Sequence, residues 1–142
     1  MSGFLLDTNV ISEVTRPKPN ANVARWLEAT DESGLFLSVL TLGEIRKGVE
    51  RLRLGRRRGR LEAWLQADLP ARFRGRILPI DEEIADRWGG ISALAAARGR
   101  PLPVVDGLLA ATALQYHLTL VTRNGSDVAG TGVTTLNPWT ES

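Results

Sequence analysis

Phe4-Leu5-Leu6-Asp7-Thr8-Asn9 stands near the start of a 142-residue chain and decides how the rest is read. Three apolar residues stop at an acid, the pattern of a short buried strand that ends in a carboxylate. A bare carboxylate beside such a run is costly to bury, so Asp7 calls for partners or for a function. Beyond it, Asn9 to Arg16 reads as a helix ended by Pro17-Lys18-Pro19. Asn20 can cap a second helix carrying Val23, Trp26 and Leu27 on one side. Leu35 to Leu40 reads as the second strand. Thr41 then opens a helix with Leu42, Ile45, Val49 and Leu52 at helical spacing. Gly55 and the arginines after it interrupt that pattern, and Leu61, Trp64, Leu65 and Leu69 mark another helix before Pro70.

The alternation continues. Arg76 to Ile80 resembles a third strand, and Asp81 caps a helix through Ile84, Trp88, Ile91 and Ala95. A loop at 98–103 leads into a helix from Val104 to His117, rich in small residues. Leu118 to Thr122 is the fourth strand, Asn124-Gly125 a turn, and Val133 to Leu136 the fifth. Strands and helices in turn predict an α/β fold of three layers, α/β/α, around a mostly parallel sheet of about five strands. With no repeat, low-complexity tract or linker, residues 1–142 read as one domain.

Composition excludes several classes. The absence of cysteine removes disulfide frameworks and thiolate metal sites. The acid at position 7 breaks any signal-peptide core, and no apolar run approaches the roughly 20 residues that span a bilayer. A soluble, cytoplasmic protein without membrane contact is expected. A single histidine, His117, rules out a ribonuclease with paired histidines as acid and base. The net charge is only +2, yet every cation except Lys18 and Lys47 is arginine. Arg46, Lys47, Arg51 and Arg53 lead a run that continues through Arg56, Arg57, Arg58 and Arg60 against one interior acid, Glu50. That run is either a solvated helix face or a surface facing phosphates.

In open α/β sheets, ligands bind beyond the carboxyl ends of the strands, at a switch in strand order. Asp7, Glu44, Asp106 and Asp127 all fall where that edge is expected. Each also has a local explanation. Glu44 completes a Thr41-x-x-Glu44 capping box, Asp106 complements a helix dipole, and Asp127 follows a turn. Together they weigh differently. Two carboxylates about 4 Å apart repel by about 4 kcal/mol at an effective dielectric near 20, so a cluster needs a cation. All-oxygen donors favour Mg²⁺ or Mn²⁺ over zinc, and such an ion can activate water and orient a scissile phosphate.

Four blocks carry a family resemblance: Phe-Leu-Leu-Asp-Thr-Asn-Val-Ile-Ser-Glu at 4–13, Leu-Ser-Val-Leu-Thr-Leu-Gly-Glu-Ile-Arg-Lys-Gly at 37–48, Val-Asp-Gly-Leu-Leu-Ala-Ala-Thr-Ala at 105–113, and Leu-Thr-Leu-Val-Thr-Arg-Asn at 118–124. The last runs on to Leu-Asn-Pro-Trp at 136–139. In this order they resemble PIN-domain proteins of the VapC type, the toxin half of bacterial toxin–antitoxin pairs, in the FitB-like subgroup. The resemblance implies a Mg²⁺- or Mn²⁺-dependent endoribonuclease with Asp7, Glu44 and Asp106 as metal-holding acids. It gives the fourth catalytic position to Asp127, with Asn124 as the alternative. Thr8, Asn9, Thr122 and Asn124 lie beside the site as supporting residues. It further implies a homodimer silenced by a cognate antitoxin, with DNA contacted only through that partner. The groove near helices 9–16 and 41–54 is the expected antitoxin seat, with Trp26, Leu52 and Leu54 as anchors.

Two other classes compete. A phosphorylated strand-end aspartate would want a second acid at position 9 or a strand-end lysine, and Asn9, Lys18 and Lys47 supply neither. A PIN-fold protein that binds nucleic acid but turns over weakly is the other alternative, motivated by the neutral Asn124.

Overall fold

The computed structural model describes residues 3–140. Five strands make one sheet in the order β3-β2-β1-β4-β5, comprising β1 (Phe4–Leu6), β2 (Leu35–Ser38), β3 (Ile77–Leu78), β4 (Thr119–Val121) and β5 (Thr135–Leu136). All four pairings are parallel, with Phe4 opposite both Leu35 and Thr119, and Leu6 opposite Val121. The chain steps outward from β1 to β2 and β3, then returns to the far side of β1 for β4 and β5. The switch in strand order therefore falls between β1 and β4.

Seven helices flank the sheet: α1 (Thr8–Glu13), α2 (Ala21–Ala29), α3 (Val39–Glu50), α4 (Arg56–Ala63), α5 (Leu69–Arg72), α6 (Glu82–Ala97) and α7 (Val104–Gln115). The strand pleat sends alternate residues to opposite faces. Leu6, Leu37 and Val121 pack with Val10, Ile11, Ile45 and Val49 on one side. Leu5 and Leu120 pack with Leu109, Ala110 and Ala113 on the other. The result is the expected three-layer arrangement, with a fully rather than mostly parallel sheet. Gly107 is where small size matters most. A Cβ there would stand 3.0 Å from the Trp88 ring, so glycine lets α7 lie close against α6.

Element boundaries moved in ways the local chemistry explains. The first helix spans Thr8–Glu13, capped by Asp7, rather than 9–16. The second strand stops at Ser38, because the Ser38 hydroxyl accepts from Leu40 N–H (3.0 Å) and starts α3 at Val39. Thr41 is therefore inside the helix, and the run of apolar residues after Ser38 belongs to helix rather than strand. The third strand is two residues long, since Pro79 has no N–H to continue the ladder. The arginine run does not break the helical region beyond Gly55; Arg56 already begins α4. Pro70 also fails to end it. A π-helical turn at Trp64–Asp68 widens the backbone just ahead of the proline, and α5 follows with Pro70 in its first turn, where proline is tolerated.

The core should respond accordingly. Leu6→Ala, at a side chain with no exposed surface, should cost about 2–5 kcal/mol in urea unfolding. Leu54→Ala, at a side chain 86% exposed, should stay within about 0.5 kcal/mol. Equal losses at the two positions would contradict this packing.

Candidate active site

Asp7 is the first residue after β1 and the N-cap of α1, so strand end and helix start share one carboxylate. It is 8% exposed. Three donors hold it: Thr8 N–H to Oδ1 (2.7 Å), and Thr122 Oγ1–H (2.7 Å) and Asn9 Nδ2–H (3.3 Å) to Oδ2. Thr122 follows β4, so its hydrogen bond crosses the gap where strand order switches. The same hydroxyl accepts from Asn124 N–H (3.1 Å). Asn9 in turn accepts from Arg123 N–H (3.4 Å), tying α1 to the end of β4 a second time. Of the four supporting residues expected from the sequence, Thr8, Asn9 and Thr122 thus touch an acid of the cluster, and Asn124 donates its N–H to Thr122 instead.

Glu44 lies on α3 beyond its first turn, which holds no acid. The capping box expected from Thr41 and Glu44 is absent. Ser38 is the cap, and the Thr41 hydroxyl is buried without a hydrogen-bond partner among the described residues. Glu44 Oε1 instead accepts from Thr8 Oγ1–H (2.6 Å), across a sequence separation of 36. The local explanation for Glu44 therefore falls away, and the residue is drawn toward Asp7's own helix.

Asp106 sits in the first turn of α7 as expected. Asp127 lies in the 3₁₀ turn Gly125–Val128, where its N–H donates to Asn124 C=O (3.0 Å). Asn124 and Asp127 are both exposed. No hydrogen bond reaches the carboxylate of Asp106 or Asp127 from the described residues, so both keep their oxygen lone pairs free.

Electrostatics joins the four acids. Burial pushes the Asp7 carboxyl above its ordinary range against the opposing pull of its hydrogen bonds, and Glu44's charge adds to the rise. Asp106 is also raised, first by burial and then by the charges of Asp7, Asp127 and Glu44. No ion pair to any of these four acids occurs among the described residues. Uncompensated negative charge, presented by oxygen alone, is the donor chemistry that Mg²⁺ or Mn²⁺ fits. Among the described residues, however, no three acidic or histidine side chains already stand where they could hold one ion between them. Mg²⁺ keeps several of its waters and takes only one or two protein carboxylates, so a loose cluster of this kind suits it.

The basic run is partly self-neutralised. Arg46 pairs with Glu50 (3.3 Å) and Glu62 (3.9 Å), and Arg58 with the same two acids (3.2 and 3.1 Å). Lys47, Arg51 and Arg53 are exposed and make no ion pair among the described residues. Beside them a groove between α1, α3 and α4 is lined by Glu44, Val49, Leu52, Arg57, Leu61 and Trp64, among others. Of the three anchors expected there, Leu52 alone lines it. Leu54 points to solvent, and Trp26 packs edge-on against Phe4 with ring centroids 5.0 Å apart. Trp64, read from the sequence only as a helix residue, is the tryptophan of this groove.

Comparison with known proteins matches the chain to the PIN domain over residues 4–129. It is similar to the toxin FitB of Neisseria gonorrhoeae (strain ATCC 700825 / FA 1090), at 40% identity over 96% of this chain and 98% of that one. It is also similar to the VapC ribonuclease Y4jK of Sinorhizobium fredii (strain NBRC 101917 / NGR234), at 33% identity over 96% and 97%. Among solved structures, FitAcB from Neisseria gonorrhoeae superposes with a TM-score of 0.92 at 39% identity, covering 97% of this chain and 99% of that one.

The raised Asp106 makes a testable sign. A carboxyl whose folded value lies above its ordinary value stabilises the fold below that ordinary value and loses the contribution as pH rises through the raised range. In EDTA, Asp106→Asn should therefore melt above the wild type near neutral pH, with the gap closing on acidification. A gap independent of pH, or a variant that melts lower throughout, would contradict the repulsion described.

Proposed function

The chain belongs to the PIN-domain family, and from that premise we propose that it is the toxin of a toxin–antitoxin pair, a Mg²⁺- or Mn²⁺-dependent endoribonuclease. The observation that carries the reading is the cluster itself: Asp106 feels the charges of Asp7, Asp127 and Glu44 at the strand switch, and no ion pair offsets these acids among the described residues. The similarity to a toxin and to a VapC ribonuclease supplies the substrate class.

Asp7, Glu44 and Asp106 would hold the ion, directly or through its waters, with Asp127 as the fourth acid. Bound there, a divalent ion supplies an activated water and offsets charge on the phosphodiester. The chain's own contribution is orientation. Thr122 and Asn9 hold Asp7 Oδ2 while Thr8 N–H holds Oδ1, so the central carboxylate has one rotamer. Thr8 Oγ1 fixes Glu44 in the same way. Asp106 and Asp127 take no such bonds and remain available to a substrate-side water or to the ion. Asn124 contributes its N–H to Thr122 rather than a charge, which favours Asp127 for the fourth role.

The partners follow from the same reading. The groove lined by Leu52, Leu61, Trp64 and Arg57 is the proposed antitoxin seat, since an amphipathic helix is recognised by such an apolar trough with polar edges. DNA contact would fall to the antitoxin, and a homodimer in the cytoplasm is the proposed working form. None of the described helices is long and apolar enough to cross a membrane.

RNA cleavage by the purified chain should require Mg²⁺ or Mn²⁺ and stop in EDTA. Asp7→Asn should lower kcat by roughly 10²–10³-fold, as loss of one preorganised electrostatic group does. Thr122→Val, which removes the hydroxyl's bonds to Asp7 and Asn124 but no acid, should cost about 10–100-fold in metal affinity or activity. Full activity in Asp7→Asn would refute the mechanism, and tight metal-independent RNA binding without turnover would favour the weak-catalyst alternative. In cells, induced expression should arrest growth, and co-expression of the antitoxin should relieve it.

A further inference from the structure

We propose that Arg123 and Trp139 form a nucleotide subsite beside the acid cluster, gripping one unpaired nucleotide of a single-stranded RNA next to the bond that is cut. The proposal rests on the nuclease reading and adds to it where the substrate is held. Arg123 lies between Thr122, which binds Asp7, and Asn124, at the carboxyl end of β4. Its backbone is tied on both sides, its N–H donating to Asn9 Oδ1 (3.4 Å) and its C=O accepting from Asn137 Nδ2 (3.5 Å). Asn9 also binds Asp7 Oδ2 (3.3 Å), so a single side chain separates residue 123 from the central acid.

An exposed arginine next to Thr122, which itself binds Asp7, could turn onto a nearby acid. Here it does not. No ion pair joins Arg123 to an acid among the described residues, and no cation is among the charges acting on Asp7 or Asp106. Its guanidinium carbon lies 5.0 Å from the centre of the Trp139 ring instead. Trp139 is a firm platform: its N–H donates to Asn137 Oδ1 (2.9 Å), its C=O accepts from Asn22 Nδ2 (2.8 Å), and its ring packs on the core. Stacking therefore keeps a planar cation free at the edge where the acids gather.

That arrangement answers a need of the substrate. An RNA strand drawn to an acidic site brings several phosphates, and a cation beyond the acids offsets the repulsion on the neighbouring one. Arginine's rim of N–H groups suits a phosphate bidentately. Its free face, like any guanidinium plane, stacks an unpaired base, which a duplex would keep hidden. Arg123 is thus a binding residue, separate from the acids that act on the bond.

The test uses the full chain with a short, fluorescently labelled single-stranded oligoribonucleotide of mixed sequence, followed by anisotropy and by steady-state cleavage. Arg123→Ala should weaken binding about tenfold, the scale of one lost base stack. It should lower the slope of log affinity against log salt by about 0.7, the share of one phosphate contact on a single strand. KM should rise while kcat holds to within about twofold. Arg123→Lys should keep the salt slope and lose the stacking part of the affinity, which separates this role from a merely structural one. If the wild type cuts RNA and Arg123→Ala matches it in affinity, KM and slope, the subsite is wrong and the nuclease reading stands. If the wild type neither binds nor cuts RNA, the nuclease reading itself fails and takes the subsite with it. Weakened antitoxin binding with unchanged RNA affinity would assign the pair to the protein partner and overturn the proposal.

Discussion

Burying a carboxylate at the end of an apolar strand sets the terms for the rest of this structure. Asp7 closes β1 where the sheet opens toward β4, and its oxygens are met by donors from both sides of that gap. Hydrogen bonds to a charged group contribute about 1.5–3 kcal/mol each. Even so, the carboxyl is raised rather than lowered, because burial, joined by the charge of Glu44, outweighs the three bonds. The fold therefore orients Asp7 without fully satisfying it, and leaves a demand for a proton or a cation. Around that residual demand the neighbouring acids are placed.

Charge is sorted across the molecule in a way that preserves this demand. Glu13, Glu32, Glu50 and Glu62 take arginine partners. The four acids near the switch take none. Arg46 and Arg58 are bound to Glu50 and Glu62 and so join α3 to α4, which forms the wall of the groove beside Glu44. Arg123, next in sequence to Asp7's partner Thr122, is held on Trp139. Surface ion pairs of this kind add little stability. Their effect here lies in which charges they leave open.

The parts legible in the sequence were those carried by local pattern. Apolar runs ending in Asp7 and Thr122 located two strand ends, and small residues marked α7. Three of the motif blocks held Asp7, Glu44 and Asp106, whereas Asp127 lay beyond the fourth. Boundaries were less legible, because Ser38 outcompeted Thr41 as the cap and thereby turned Val39 and Leu40 from strand into helix. Pro70 was read as a stop, and only the wider turn at Trp64–Asp68 lets the helix pass it. The resemblance implies a partner groove with Trp26 as an anchor, but an apolar residue type cannot distinguish packing against Phe4 from exposure to a partner.

Residue types and their spacing were enough to determine by themselves that β and α segments alternate, that the donors are oxygen, and that no thiolate or histidine pair is at hand. Those properties are local or compositional. Tertiary structure alone decided that Thr8 reaches Glu44 across 36 residues and Thr122 reaches Asp7 across 115. It also decided that Arg123 rests on a tryptophan rather than an acid. Such contacts depend on which strand lies beside which, and strand order is set by the packing of two whole faces rather than by any one stretch of chain.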